Sequence, residues 1–251
     1  MNKSQNIYDN ETFFDSYRAL RERDDNYNDL LEQPAMAELL PDLTGKTVLD
    51  LGCGYGLNCM DFVARGAKHV VGIDISEKML EVAKRENASP RIEYRRMDMA
   101  EISSLDGRFD LIYSSLAFHY VEDFSKLISD IQSLLNDGGY LLYSQEHPIT
   151  TATIGEGHSN KDENGKFVSY TFSDYQQPGK REVSWFVDGV VKYHRTMGDI
   201  LTTIAGCGLF IDTVCEPLPT PQAIGKRPSL AKELIRPCFL IVRAKKRIEN
   251  S

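Results

Sequence analysis

The chain has 251 residues, 41% of them hydrophobic and 10% aromatic, enough apolar mass for one large packed domain or one domain with an attachment. A net charge of −8 argues against a nucleic-acid partner, because phosphate binding calls for an excess of Lys and Arg. No apolar run reaches the roughly 18 to 20 residues of a membrane-spanning helix, and Met1 to Phe14 has no apolar centre of the signal-peptide kind. The expectation is a cytoplasmic protein without a membrane partner. The five cysteines are odd in number and include no CxxC pair, so they read as reduced thiols. Neither they nor the five histidines have the short spacings of a zinc site, and no metal is expected.

Residues 1–43 read as a mainly helical, polar appendage with scattered aromatics (Tyr8, Phe13, Phe14, Tyr17, Tyr27), and Pro34 suits the first turn of a helix running to Leu40. Residues 44–147 alternate short β-branched runs with amphipathic segments, the pattern of βα units feeding a parallel sheet. The expected strands are Thr47–Leu51, His69–Asp74, Arg91–Arg96, Phe109–Ser114 and Tyr140–Gln145. Ser76 is placed to cap a helix carrying Met79, Leu80 and Ala83. Leu127, Ile128, Ile131, Leu134 and Leu135 share one face of another helix, which Gly138-Gly139 is expected to end. Residues 148–195 break this rhythm with glycines and seven aromatics between Phe167 and Tyr193. A loop of that length in a compact domain is functional or has structure of its own, and it reads as a lid or substrate insertion. Residues 196–251 return to the core, with a helix over Thr196–Ala205, strands over Leu209–Glu216 and Cys238–Arg243, and a solvated charged tail at Lys245–Arg247.

The stretch from Val48 to Gly56 runs a buried strand into a turn with three glycines in five residues, followed by a helix over Leu57–Arg65. Glycines there let a ligand approach the backbone closely. A dinucleotide fingerprint would put its third glycine where Leu57 stands. A phosphate loop needs a Lys, yet no Lys or Arg lies between Lys46 and Arg65. Asp50, an acid expected at the mouth of the turn, suits a ligand carrying positive charge.

Val48-Leu49-Asp50-Leu51-Gly52-Cys53-Gly54-Tyr55-Gly56 resembles the first motif of class I S-adenosylmethionine-dependent methyltransferases. The resemblance covers about residues 46–146 and continues through Gly72-Ile73-Asp74-Ile75-Ser76, Met97-Asp98-Met99, Phe109 to Ser115, and Leu135 to Leu141. It implies an α/β fold with a doubly wound, mostly parallel seven-stranded sheet. The helical N-terminal appendage and a lid insertion after the fifth strand would be added to that sheet. It implies S-adenosylmethionine as donor and S-adenosylhomocysteine as product. The implied donor residues are Asp50, Gly52, Cys53 and Gly54 at the turn, and Asp74 on the ribose with Ile75 and Met79 beyond it. Met97, Asp98 and Met99 would surround the adenine, and Ser114 and Ser115 would follow the fourth strand. In an open parallel sheet the ligand sits outside the carboxyl ends of the strands, where strand order reverses, and these residues fall at such ends. Apart from the resemblance, the N-terminal aromatics, Tyr17 above all, are placed either to close over the donor or to staple the first helices to the sheet.

Transfer of a methyl group by in-line displacement asks the protein chiefly to hold donor and acceptor in attack geometry without water. A base is needed only if the acceptor must lose a proton. His119, after the fourth strand, is the first candidate, followed by Glu146 or His147. These two are neighbours on an extended segment, so only one should reach the site. His194 and Arg195 are placed to orient an acceptor, Arg195 through a carboxylate. The Asn/Asp-Pro-Pro-Tyr/Phe motif of adenine and amide methylation is missing after the fourth strand, where Ser114-Ser115-Leu116-Ala117 stands. A small-molecule acceptor is therefore expected. The competing readings are a nicotinamide-dependent oxidoreductase and a non-catalytic S-adenosylmethionine-binding protein.

Overall fold

A computed structural model describes residues 4–155 and 157–248. In chain order, α1 (Glu11–Arg21) and α2 (Gln33–Leu39) precede β1 (Thr47–Leu51). The alternating core follows as α3 (Leu57–Ala64), β2 (His69–Asp74), α4 (Glu77–Glu86), β3 (Ile92–Arg96), β4 (Phe109–Ser114), α5 (Phe124–Leu134) and β5 (Leu135–Glu146). The insertion holds the short helix α6 (Pro148–Thr151), one hairpin of β6 (His158–Lys161) and β7 (Phe167–Thr171), and a second of β8 (Gly179–Trp185) and β9 (Val187–His194). The chain returns through α7 (Met197–Gly206), β10 (Leu209–Cys215), α8 (Pro221–Lys226) and β11 (Phe239–Lys246).

The seven-stranded sheet has the order β10-β11-β5-β4-β1-β2-β3. β1 to β5 pair parallel, and β11 runs antiparallel to both β5 and β10. The order reverses between β1 and β4, so their carboxyl ends open a crevice there. Alternation along the strands divides the core. Leu49, Leu51, Val71, Ile73 and Ile112 face α5 and α7. Val48, Val70, Leu111 and Tyr113 face α3, with Met36 of α2 and Leu80 of α4. The helices start on side-chain caps: Ser76 accepts from the Met79 amide, Asp123 from Lys126, and Thr196 with Asp199 forms a reciprocal capping box.

Two sequence expectations are corrected. Gly138-Gly139 does not end the helix. α5 stops at Leu134, where Leu135 turns extended, and the chain enters β5 directly. The register against β4 jumps from Phe109↔Leu135 to Leu111↔Tyr140, so the glycines form the bulge that absorbs the extra residues. A Cβ on Gly139 would meet the Asn136 carbonyl at 2.8 Å, which explains the glycine. Lys245 and Lys246 are not a solvated tail. They close β11, and Lys246 turns inward to donate to the carbonyls of Gln132 and Leu135. That amine completes carbonyls the end of α5 leaves open.

The N-terminal segment crosses to the insertion. Gln5 donates to the Gly189 carbonyl at 2.7 Å and accepts from the Val191 amide at 2.9 Å. Phe13, fully buried, packs edge-on against Tyr8, Trp185 and Phe186. Phe13→Ala is expected to weaken this docking by about 3–5 kcal/mol. Hydrogen exchange should speed up over α1 and the β8–β9 tip while β1 and β4 stay protected; unchanged protection of α1 would contradict this account.

Candidate functional site

The turn after β1 is built on glycines with φ of +74° at Gly52, +53° at Gly54 and +78° at Gly56. Two of them are also demanded by crowding. A Cβ on Gly52 would lie 2.9 Å from the Ala117 side chain, and one on Gly56 would overlap the Tyr94 hydroxyl. Gly54 faces open space instead, with nothing within 4 Å of where a Cβ would stand, so the backbone there is bare toward the crevice. Asp74, at the end of β2, accepts from the Gly54 amide at 2.9 Å and the Ser76 amide at 2.8 Å. Burial raises its pKa to about 6 against these two donors.

A cavity of about 1740 Å³ opens over this turn. Its donor-side wall includes Gly52, Cys53, Gly54, Asp74, Ile75, Met79, Met97, Asp98, Met99 and Ser115, with Tyr17 above. Tyr17 packs against Tyr8, Tyr55 and Trp185, which joins α1 to both the glycine turn and the insertion. Asp98 caps the turn after β3 by accepting from the Ala100 amide. No Lys or Arg stands on the glycine turn itself. Bare backbone, acids and thioether side chains match a cationic sulfonium nucleoside and offer no counter-charge to a diphosphate.

Asp50 and Ser114 do not line the cavity. Asp50 does not sit at the mouth of the turn as expected; it lies beneath it, 1% exposed, accepting from the Cys59 thiol at 3.3 Å while its Oδ1 has no hydrogen-bond partner among the described residues. Burial pushes its pKa up to about 7. Ser114 donates to the Leu51 carbonyl at 2.7 Å and ties β4 to β1.

Of the candidate acid–base residues, His119 and Glu146 face the cavity. His119 follows β4 in a short turn, is 3% exposed, and has its pKa pushed down to about 4 by burial. Its Nδ1 accepts from the Glu146 amide at 3.3 Å, which leaves the proton on Nε2. Burial opposes the Glu146 carboxylate, but Lys192 at 2.6 Å outweighs it and holds the pKa below the ordinary value. His147 points away, as alternation requires. Its Nε2 pairs with Glu216 at 2.8 Å and its Nδ1 caps α6 at the Ile149 amide. His194 is also outside, with Nδ1 on Thr151 and Nε2 on the Tyr175 carbonyl. Arg195 lines the cavity, yet its guanidinium is engaged by the carbonyls of Val121 and Glu122, so it has no free fork for a carboxylate.

Sequence reasoning missed Glu32. Fully buried behind the crevice, it accepts from Ser144 at 2.5 Å, Ser115 at 2.9 Å and Gln33 at 2.8 Å. Burial raises its pKa despite these donors. Nothing in a polar helical stretch marks such a residue, because its two serine partners lie 83 and 112 positions away. Among the described residues no group of three or more His, Cys, Asp or Glu is placed to hold a metal ion, and no helix is long and apolar enough to cross a membrane.

Residues 48–139 match the family model described as a methyltransferase domain. The crystal structure of an S-adenosylmethionine-dependent methyltransferase from Mesorhizobium loti superposes with a TM-score of 0.80 at 40% identity, over 86% of this chain and 97% of that one. This chain belongs to the S-adenosylmethionine-dependent methyltransferases. S-adenosylmethionine is the methyl donor and S-adenosylhomocysteine the product. An uncharacterized protein of Haemophilus influenzae is 36% identical over 98% of the methyltransferase and 99% of its own length. The ubiquinone biosynthesis O-methyltransferase of Nitrosomonas europaea is 32% identical over 110 residues, 43% of this chain and 46% of that enzyme.

The methyltransferase's Asp50 sets a pH dependence. A carboxyl whose folded pKa exceeds its unfolded value holds its proton better when folded. Its contribution is full below about pH 4 and is lost as pH rises to about 7, by up to about 4 kcal/mol. Asp50→Asn is therefore expected to gain stability over the native chain between pH 5 and pH 8, measured by urea denaturation at each pH. A constant difference across that range would refute the buried-acid assignment.

Proposed function

We propose that the methyltransferase acts on a small-molecule acceptor enclosed between the glycine turn and the insertion. The observation that carries this reading is the size of the cavity. At about 1740 Å³ it exceeds the roughly 300–1,000 Å³ that suits one drug-sized ligand, and its wall runs from Asp74 and Asp98 to Glu146 and Lys192 without interruption. Aromatic side chains from α1 and β8 roof it, which supports an enclosed acceptor over a nucleic-acid strand, as does the net charge of −8.

In this reading Gly52, Cys53 and Gly54 present backbone to the donor's amino-acid end. Asp74, with free lone pairs on both oxygens, takes the ribose hydroxyls beside Ile75 and Met79. Met97, Asp98 and Met99 surround the adenine, Ser115 borders the turn, and Tyr17 covers the donor. Bound S-adenosylmethionine supplies an electrophilic methyl group on an already activated leaving group. The chain's task is then orientation and exclusion of water. His119 stays neutral at physiological pH, and its Nε2–H donates to the acceptor and orients it. Glu146, kept ionised by Lys192, orients a donor group of the acceptor and is too weak a base to drive a difficult deprotonation. Acceptors that are nucleophilic without a strong base are the expected class. The ubiquinone-biosynthesis enzyme of Nitrosomonas europaea matches only 43% of the chain, so its acceptor does not define this one.

Titration calorimetry with S-adenosylhomocysteine tests the reading. The native chain should bind it, and Asp74→Ala should weaken binding by about 1–3 kcal/mol through lost charge-assisted hydrogen bonds. Unchanged affinity would mean that the ribose is held elsewhere.

A further inference from the structure

The cavity wall is charged unevenly. Near the glycine turn it carries Asp74 and Asp98, with Arg21, Glu122, Asp123 and Lys126 also on the wall, and the part beneath the insertion holds a denser group of cations, Lys180, Arg181, Lys192, Arg195, Lys232 and Arg236, against Glu146. Most of these cations already have partners. Lys192 is on Glu146, Lys180 is on Glu182, Arg181 donates to the carbonyls of Ala152, Lys180 and Gln177, and Arg195 is on Val121 and Glu122. Arg236 differs. Its side chain is nine-tenths buried, at 10% exposure. Only Nη1 is hydrogen-bonded, to Thr150 at 2.9 Å. Nε is buried without a partner, and no hydrogen bond to Nη2 exists among the described residues. The guanidinium therefore keeps the Nε–Nη2 edge with which arginine grips a planar carboxylate in two parallel bonds.

The surrounding charge leaves the site short of an anion. Glu233 is 3.7 Å from Arg236 and 3.8 Å from Lys232, too far for either to be a hydrogen bond, and both its carboxyl oxygens lack hydrogen-bond partners among the described residues. Lys232 is 29% exposed and keeps some solvent, whereas Arg236 is largely buried and meets Glu233 and Glu146 only through space, so its charge is incompletely answered, which is costly unless a ligand completes it. The Tyr170 ring covers the guanidinium at 4.6 Å, and Phe239 and Thr150 line the cavity beside it. Phe239 pairs with Glu146 across β11 and β5, so the arginine stands next to the acceptor wall and away from the glycine turn.

We propose that Arg236, with Lys232, is the recognition site for a carboxylate on the acceptor, and that the methyltransferase selects apolar or aromatic acids over their uncharged analogues. This rests on the small-molecule reading above and names the substrate class for it. Arg236 acts in specificity: it holds the end of the acceptor remote from the transferred methyl group and takes no part in bond making.

Benzoate and benzamide, equal in shape and different in charge, are the probes. Each is titrated into the native chain saturated with S-adenosylhomocysteine and followed by ligand-observed NMR. Benzoate should bind at least about tenfold more tightly than benzamide, the scale of a charge-assisted bond. In Arg236→Gln the two affinities should converge while S-adenosylhomocysteine affinity stays at the native value. Equal binding of the two probes to the native chain, or no saturable benzoate binding, overturns the proposal; the native comparison decides even if the variant does not fold. Failure of S-adenosylhomocysteine to bind at all would instead bring down the underlying donor-site reading.

Discussion

One carboxylate organises the glycine-turn side of this methyltransferase's cavity. Asp74 reaches from the end of β2 to the Gly54 amide, and back to the Ser76 amide where α4 begins. It thus holds a left-handed, side-chain-free turn against the neighbouring strand while remaining on the cavity wall. A second acid extends this arrangement. Asp9 accepts from the Ser76 hydroxyl at 2.6 Å and the Lys78 amide at 3.2 Å, and these bonds outweigh burial to keep its pKa low. Negative charge at the start of a helix is favourable, and here it fastens the N-terminal segment to the same strand end that carries Asp74. The aromatic roof over the crevice follows from that attachment.

Much of the core was legible because its signals are local. β-branched runs bounded by polar residues placed β1, β2 and β4 to the residue, and Ser76 marked the helix it caps. The glycine turn was legible because a left-handed backbone and close packing on Tyr94 restrict residue choice. Alternation along an extended chain foretold that only one of Glu146 and His147 would face the crevice. What stayed hidden depends on pairings far apart in sequence. Lys246 looks like part of a charged tail until β11 is inserted between β5 and β10. Asp50 looks exposed until the turn folds over it. Arg195 and Arg236 look alike on paper; one meets carbonyls of the β4–α5 connection and the other keeps a buried Nε with no hydrogen-bond partner among the described residues.

The protein as a whole is acidic, yet its cavity is not uniformly so. A sulfonium donor and an acidic acceptor would carry opposite charge, and a wall with Asp74 and Asp98 by the glycine turn and a surplus of cations beneath the insertion would favour one orientation of the pair. Such preorganisation is where methyl transfer gains most, since the leaving group needs little further help. Neutral His119 and the Glu146–Lys192 pair on the same wall are polar but nearly balanced in charge, as suits a transfer whose nucleophile need not be an anion.

The stitch between Gln5 and β9 has a kinetic side. A side chain there satisfies the Val191 amide and the Gly189 carbonyl much as another strand's backbone would, next to residues that wall the cavity. Gln5 and Val191 both line the cavity, so parting of that edge from the N-terminal segment would widen the way out for a molecule held beneath the hairpin. Where release of product limits turnover, the lifetime of those two hydrogen bonds would be one of the quantities that set it.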